Sequence, residues 1–307
     1  MYKNNYLDDW KKNKEKLIEN NVYREEDEHS SCGVGLIASI SGQPSREIVE
    51  MGLQALRVLY HRGAVDADGK TGDGAGIQID IPKEFFKEQI ERTGHVINSL
   101  PFAVGMIFLP RTNFEAQEKS RIIIESEIIK EGFKIYGWRH VPINTKILGD
   151  KAKATLPEIE QILICNEKYT NELELDDKLY LVRKRIEKKI NENNISDFYI
   201  CSFSSQSIIY KGMFLAEQLS NFYLDIEDKR FVSKFAVYHQ RYSTNTFPTW
   251  SLAQPFRVIA HNGEVNTLKG NKNWMKAHEP RMSHSNFTNT MDDLKPIIDN
   301  SASDSAA

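Results

Sequence analysis

The sequence predicts an α+β layered domain, on three observations. Apolar residues alternate or run together at strand length, other stretches are amphipathic at helical spacing, and the two kinds do not alternate strictly as a doubly wound parallel sheet would require. With 307 residues, 40% apolar content and 10 prolines, the chain can bury one large core or two modest ones. The formal charge of -3, with acids and lysines interspersed, supplies no basic field for a nucleic acid. No apolar run approaches the roughly 20 residues that span a bilayer, and MYKNNYLDDWKKNKEKLIEN lacks the apolar stretch of a signal peptide, so the expected compartment is the cytoplasm.

Taken in order, residues 1–31 are rich in Lys, Asn and Glu and read as a short helix or extended arm outside the main core, a candidate leader. A small-residue strand over 33–40 follows, then a turn over 42–44 and a helix starting near Ser45, a suitable N-cap. Ile48, Val49, Leu53, Leu56, Leu59 and Tyr60 recur at helical spacing, and Gly63 is placed to stop the helix after His61 and Arg62. After the Gly-rich loop RGAVDADGKTGDGAG, GIQIDIP alternates Ile77, Ile79 and Ile81 with polar residues, the pattern of a strand with one buried face. PFAVGMIFLP reads as an inner strand, and 114–130 and 176–190 as amphipathic helices. Further strands are expected at FKIYGWRHVP, DFYICSF, SIIYKG and KFAVYHQ.

The three cysteines are odd in number, far apart and free of C-x-x-C spacing, which suggests neither a disulfide framework nor a zinc site. Cys165 and Cys201 sit in apolar runs and read as core. Cys32 follows the acidic run REEDEHSS and opens CGVGLIA, where packing is a poor explanation, so it is the one thiol to suspect of chemistry. The histidines show no ligand spacing, and no metal is expected.

The Gly-Lys-Thr at 69–71 imitates a phosphate loop without its spacing: position 64 is Ala64, and Asp66, Asp68 and Asp73 would repel phosphate. A calcium loop counted from Asp66 fails too, with Lys70 at position 5 and Ile77 at position 12. A mobile loop rich in glycine because it must bend, and a substrate-side role, both stay open. Nearer the C-terminus Arg241, Ser243, Thr244, Asn262, Gly263 and Glu264 form two polar clusters after apolar strands. Asn262-Gly263 suits a type I′ turn, and equally a side-chain amide and backbone N–H pair for an oxyanion.

CGVGLIA, HRGAVDADGKTGDGAG, GWRHVP, KLYLVRKRIE, FYICSFSSQSIIYKG, HQRYSTNTFPTW and HNGEVNTLKGN, in this order, resemble the N-terminal glutaminase domain of the glutamate synthase large subunit, a class II glutamine amidotransferase. The resemblance runs from Cys32 nearly to the last residue; other class II amidotransferases are similar only around the nucleophile, the Arg cluster and the Asn-Gly pair. It implies the four-layer αββα sandwich of N-terminal nucleophile hydrolases. It also implies hydrolysis of L-glutamine to glutamate and ammonia, with Cys32 attacking the carboxamide to form a thioester and its own α-amine as the base. That amine is locked in a peptide bond to Ser31, so cleavage there is expected, leaving 1–31 as a propeptide and 32–307 as the amidotransferase domain.

The resemblance further assigns the oxyanion to Asn262 and Gly263, the α-carboxylate of glutamine to Arg241, and its α-ammonium to Asp304 in SASDSAA. His61, His239 and His261 lie in the matching motifs, and a papain-like Cys-His pair is the rival mechanism. His239 shares a strand face with Arg241 and reads instead as a structural hydrogen-bonding partner. In the family the ammonia reaches synthase domains that use FMN and an iron-sulfur cluster. No cofactor is expected in this chain, which reads as C-terminally truncated relative to the family. The expected partners are glutamine, the synthase domains and the small subunit. A noncatalytic glutamine-binding module and a freestanding amidase are the alternative readings.

Overall fold

The computed structural model describes residues 3–20, 33–97, 101–169, 171–242, 247–257, 267–299 and 306. Cys32, Asn262, Gly263 and Asp304 lie outside the described residues. The chain divides into two compact units, Met1–Ser31 and Cys32–Ala307. The described part of the first is one helix, α1 (Lys3–Glu19), with Lys16 in its last turn, where a cation suits the helix dipole. Over these described residues the helix is adopted, of the two forms that the polar composition allowed.

The second unit holds β1 (Val34–Ala38), α2 (Arg46–Val58), β2 (Ala75–Asp80), α3 (Lys83–Arg92), β3 (Phe102–Leu109), α4 (Phe114–Lys130) and β4 (Lys134–His140). It continues with α5 (Asp150–Ala154), β5 (Glu158–Cys165), α6 (Glu172–Glu192), β6 (Tyr199–Ser204), β7 (Ser207–Gly212), α7 (Leu219–Phe222), β8 (Phe235–Gln240) and α8 (Leu268–His278). The strands form two four-stranded sheets, ordered β1-β8-β2-β7 and β4-β5-β3-β6. All their pairings are antiparallel, which fits an α+β domain.

Side chains at the helix starts supply what the free backbone N–H groups need. Ser45 accepts from the Ile48 amide at 3.4 Å, Asn113 from Ala116 at 3.0 Å and Asn171 from Leu173 at 2.9 Å. In α2, Ile48, Val49, Leu53 and Leu56 fall on one face and are buried. The α-helix tightens into a 3-10 turn at Leu59–Arg62, and Gly63 ends it where the sequence places the stop.

β3 shows why its apolar run is continuous. Phe102, Val104, Met106 and Phe108 join the core shared with the first sheet, while Ala103, Ile107 and Leu109 pack with Ile123, Ile124 and Ile128 of α4 and Leu179, Val182 and Ile186 of α6. Both faces of the strand are buried, so alternation disappears. Each fully buried large side chain of this kind contributes roughly 1.5–3 kcal/mol.

One strand that the sequence pattern did not reveal, β5, is hydrogen-bonded to both β3 and β4. Its segment EIEQILIC carries two glutamates, and Glu160 is buried because Arg121 from α4 grips its carboxylate with two bonds of 2.6 and 2.9 Å. A polar bridge crosses from sheet to sheet. Arg139 of β4 donates to Asp225 through two bonds of 2.7 and 2.9 Å, and Gln161 of β5 donates to the hydroxyl of Tyr210 in β7, which donates to Asp225. Burial works against the Arg139 charge, but the Asp225 bonds outweigh it and its pKa is raised.

Candidate active site

β8 runs between β1 and β2, so the end of β8 meets the beginnings of both neighbours. Val34 faces His239 across one ladder and Ala75 faces Gln240 across the other. Gly33, covalently next to Cys32, therefore comes against Gln240, whose backbone N–H donates to the Gly33 carbonyl at 2.6 Å. Only glycine fits at 33, since a Cβ there would lie 2.3 Å from the Gln240 carbonyl oxygen. On the other side Arg241 donates its backbone N–H to the Gly74 carbonyl at 2.7 Å.

Arg241 follows directly on β8 with φ of +121°, a conformation that side chains rarely adopt. Two backbone bonds hold it there: the one to Gly74, and one donated by Nδ1 of the buried His239 to the Arg241 carbonyl at 3.2 Å. This bond is structural, the kind of role expected of His239. His61 is exposed and bonds back to the Val58 carbonyl at 3.2 Å. His261 lies outside the described residues.

The loop between the 3-10 turn and β2 is a hydrogen-bonded hairpin rather than an open stretch. Asp66 N–H donates to the Thr71 carbonyl at 2.8 Å, and Val65 bridges to Gly72. Asp68 turns its carboxylate inward, accepting from the Lys70 and Thr71 amides and the Thr71 hydroxyl at 2.6–2.9 Å, which holds its pKa well below the usual range. Lys151 binds Asp66 at 2.7 Å and Gln218 reaches the Lys70 carbonyl at 3.2 Å, tying the hairpin to the rest of the unit. With these acids engaged by its own backbone and by Lys151, the loop fits neither a nucleotide phosphate nor a flavin phosphate.

Asp73, which the sequence offered only as an acid unfavourable to phosphate, sits where this hairpin enters β2. It is 5% exposed, and its Oδ2 lies 3.4 Å from Nε of Arg241. Among the described residues, no donor reaches either of its oxygens in good geometry. Burial raises its pKa, while the Ala64 amide and the Arg241 charge draw it back. A cavity of about 250 Å³ lined by Ala64, Thr71, Asp73, Met213 and Pro248 opens beside it. Of the residues expected to form the site, Arg241 alone is among those described.

The thiols do not fit an iron-sulfur cluster. Such clusters take four ligands, usually cysteine thiolates, and of the three cysteines here Cys165 and Cys201 are buried in the core, where burial pushes the Cys201 thiol up to about 12. His140, Glu158 and Glu160 bring three possible metal ligands within 4.8 Å of one another across the β4–β5 pair. Glu160 is already neutralised by Arg121, so this group is an ion-pair network.

Comparison with known proteins adds a family to this geometry. The model of the class-II glutamine amidotransferases matches residues 32–307. The chain is 57% identical over 302 residues to the glutamate synthase (NADPH) large chain of Azospirillum brasilense, covering 98% of this chain and 20% of that one. It is 44% identical over 282 residues to ferredoxin-dependent glutamate synthase 2 of Synechocystis sp., covering 91% and 18%. With the glutamate synthase (NADPH) large chain of Bacillus subtilis it shares 40% identity over 286 residues, covering 93% and 19%. The chain thus spans about a fifth of the length of these curated relatives. A family match that begins at Cys32 and runs through the sheet end where Gly33, Gln240 and Arg241 meet identifies the chain as a member of the class-II glutamine amidotransferases.

Proposed function

We propose that this chain hydrolyses L-glutamine to glutamate and ammonia through a Cys32 thioester, as the ammonia-supplying domain of a glutamate synthase. The observation that carries this reading is the 2.6 Å bond from Gln240 N–H to the Gly33 carbonyl, which ties the residue after Cys32 to the residue before Arg241. In the reading, residues 1–31 are a propeptide removed by cleavage between Ser31 and Cys32, and 32–307 are the amidotransferase domain. The start of the family match at residue 32 supports that boundary.

The freed α-amine of Cys32, with a reference pKa of about 7.7–8.0, takes the thiol proton. The sulfur attacks the carboxamide carbon, the Asn262 amide and the Gly263 N–H hold the resulting oxyanion, and the ammonium form of the amine returns the proton to the departing ammonia. Water, deprotonated by the same amine, then cleaves the thioester to glutamate. Arg241 pairs with the substrate α-carboxylate and Asp304 with its α-ammonium. The ammonia passes to synthase domains, where an FMN and an iron-sulfur cluster do the redox chemistry. Those domains and a small subunit are its partners in the cytoplasm. The two antiparallel sheets, one of them packed against α4 and α6 on its other face, support a four-layer αββα sandwich.

Release of ammonia from glutamine by the protein cut before Cys32 tests the activity. Losing one buried charged contact costs about 2–5 kcal/mol, so Arg241→Ala and Asp304→Ala raise KM by roughly 30-fold or more. Asn262→Ala instead lowers kcat by about 100–1000-fold. Equal effects of all three on KM would undo these assignments.

A further inference from the structure

We infer that Asp73 is a positioning residue for Arg241: its carboxylate holds the Nε edge of the guanidinium, leaving the two terminal nitrogens turned toward the substrate's α-carboxylate. The inference rests on the proposed role of Arg241 and adds to it the group that fixes the arginine.

Four observations converge on the pair. The Asp73 carboxylate is almost fully buried, and among the described residues no donor reaches either oxygen in good hydrogen-bond geometry. Nε of Arg241 is likewise buried and without a hydrogen bond among the described residues, although 40% of that side chain is exposed, so the two unsatisfied groups face one another. Their 3.4 Å separation exceeds the 2.7–2.9 Å of a formed charge-assisted bond. Bonds that serve substrate binding are often long in a free site and tighten when the ligand arrives. Finally, both residues have anchored backbones: Asp73 N–H donates to the Ala64 carbonyl at 3.1 Å, and Arg241 is held at φ +121° by Gly74 and His239.

A buried carboxylate without well-formed hydrogen bonds is costly. Here it serves to restrict an arginine that would otherwise lose rotamer freedom on every binding event. Among the described residues, the groups acting on Asp73 are the Ala64 amide, the Gln240 side chain and Arg241, of which Arg241 is the charged one.

The test is Asp73→Asn in the mature protein, compared with Arg241→Ala and with the double variant. Asp73→Asn is expected to raise KM for glutamine by about ten-fold, with kcat within about three-fold of the parent and a melting temperature no lower, since it removes a buried charge that no well-formed hydrogen bond satisfies. Glutamine α-methyl ester, which lacks the anion, should be handled alike by Asp73→Asn and the parent. In the Arg241→Ala background the change should have no further effect. An unchanged KM, an effect that adds in full to that of Arg241→Ala, an equal effect on the ester, or loss of the fold would each overturn the inference. If Arg241→Ala itself leaves KM unchanged, the proposed role of Arg241 fails first, and that of Asp73 with it.

Discussion

Replacing Asp225 with alanine removes the acceptor at the centre of the bridge between the two sheets. The Asp225 carboxylate is 3% exposed and takes two Arg139 bonds of 2.7 and 2.9 Å and one from the Tyr210 hydroxyl at 3.3 Å. Without it the Arg139 guanidinium, 14% exposed, keeps the Gln161 side-chain oxygen at 2.6 Å and the Phe85 ring at 5.4 Å, neither of which neutralises a charge. Breaking a buried ion pair from one side costs about 3–5 kcal/mol, a large part of the roughly 5–15 kcal/mol that keeps a domain folded. At roughly 2–4 °C per kcal/mol for a domain approaching this size, the melting temperature should fall by about 6–20 °C. Urea unfolding followed by near-ultraviolet circular dichroism measures the loss. The double variant Arg139→Met with Asp225→Leu, which leaves no unpaired charge, should recover most of it. A loss below about 1 kcal/mol for Asp225→Ala would mean that the pair is solvated as a surface pair is, and the desolvated bridge would be refuted.

Two further changes probe other parts of the structure. Gly33→Ala puts a methyl group 2.3 Å from the Gln240 carbonyl oxygen and must open the β1–β8 ladder beside Cys32, so ammonia release should fall at least ten-fold; unchanged release would show that the sheet end does not set the nucleophile's position. Lys211 is fully buried between the rings of Tyr199 and Phe256 at 4.4 and 4.6 Å and donates to the Ser251 carbonyl at 2.8 Å, and burial lowers its pKa to about 8. Between about pH 8 and 10.4 the unfolded chain binds the lysine proton more tightly than the folded one, so this residue's contribution to stability rises with pH across that window. Urea unfolding at pH 7.5 and 9.5 should therefore show the parent gaining on Lys211→Met at the higher pH; parallel curves would contradict the buried ammonium.

Several segments that bury one clean face or both, α2, α4 and β3 among them, were legible in the sequence, whereas α3 with its buried Phe85, Phe86 and Ile90 was not. The limits of α4 match the expected 114–130 at both ends and β7 matches SIIYKG, because cap, periodicity and turn signals agree. β5 was missed because its glutamates break the apolar run, and the arginine that makes Glu160 tolerable lies 39 positions away in sequence. α8 was missed for the opposite reason: it has no buried residues and therefore no stripe to read. The site was legible in the same uneven way. Arg241 stood out in a polar cluster at a strand end, and the alternation on β8 put His239 beside it. Asp73 did not, since its partner is more than 160 residues away and becomes visible only when β2 and β8 are paired. The hairpin before it looked loose because its glycines are visible in the sequence and the hydrogen bonds of Asp68 are not.

The most direct test of the central claim is the intact mass of active protein from its native host, before and after inactivation by a glutamine-like alkylating agent. A chain that starts at Cys32 and gains one adduct on that residue is the expected result. Full glutamine-hydrolysing activity in protein that still carries Met1–Ser31 would contradict it, because the nitrogen assigned to take the proton from sulfur would then be an amide.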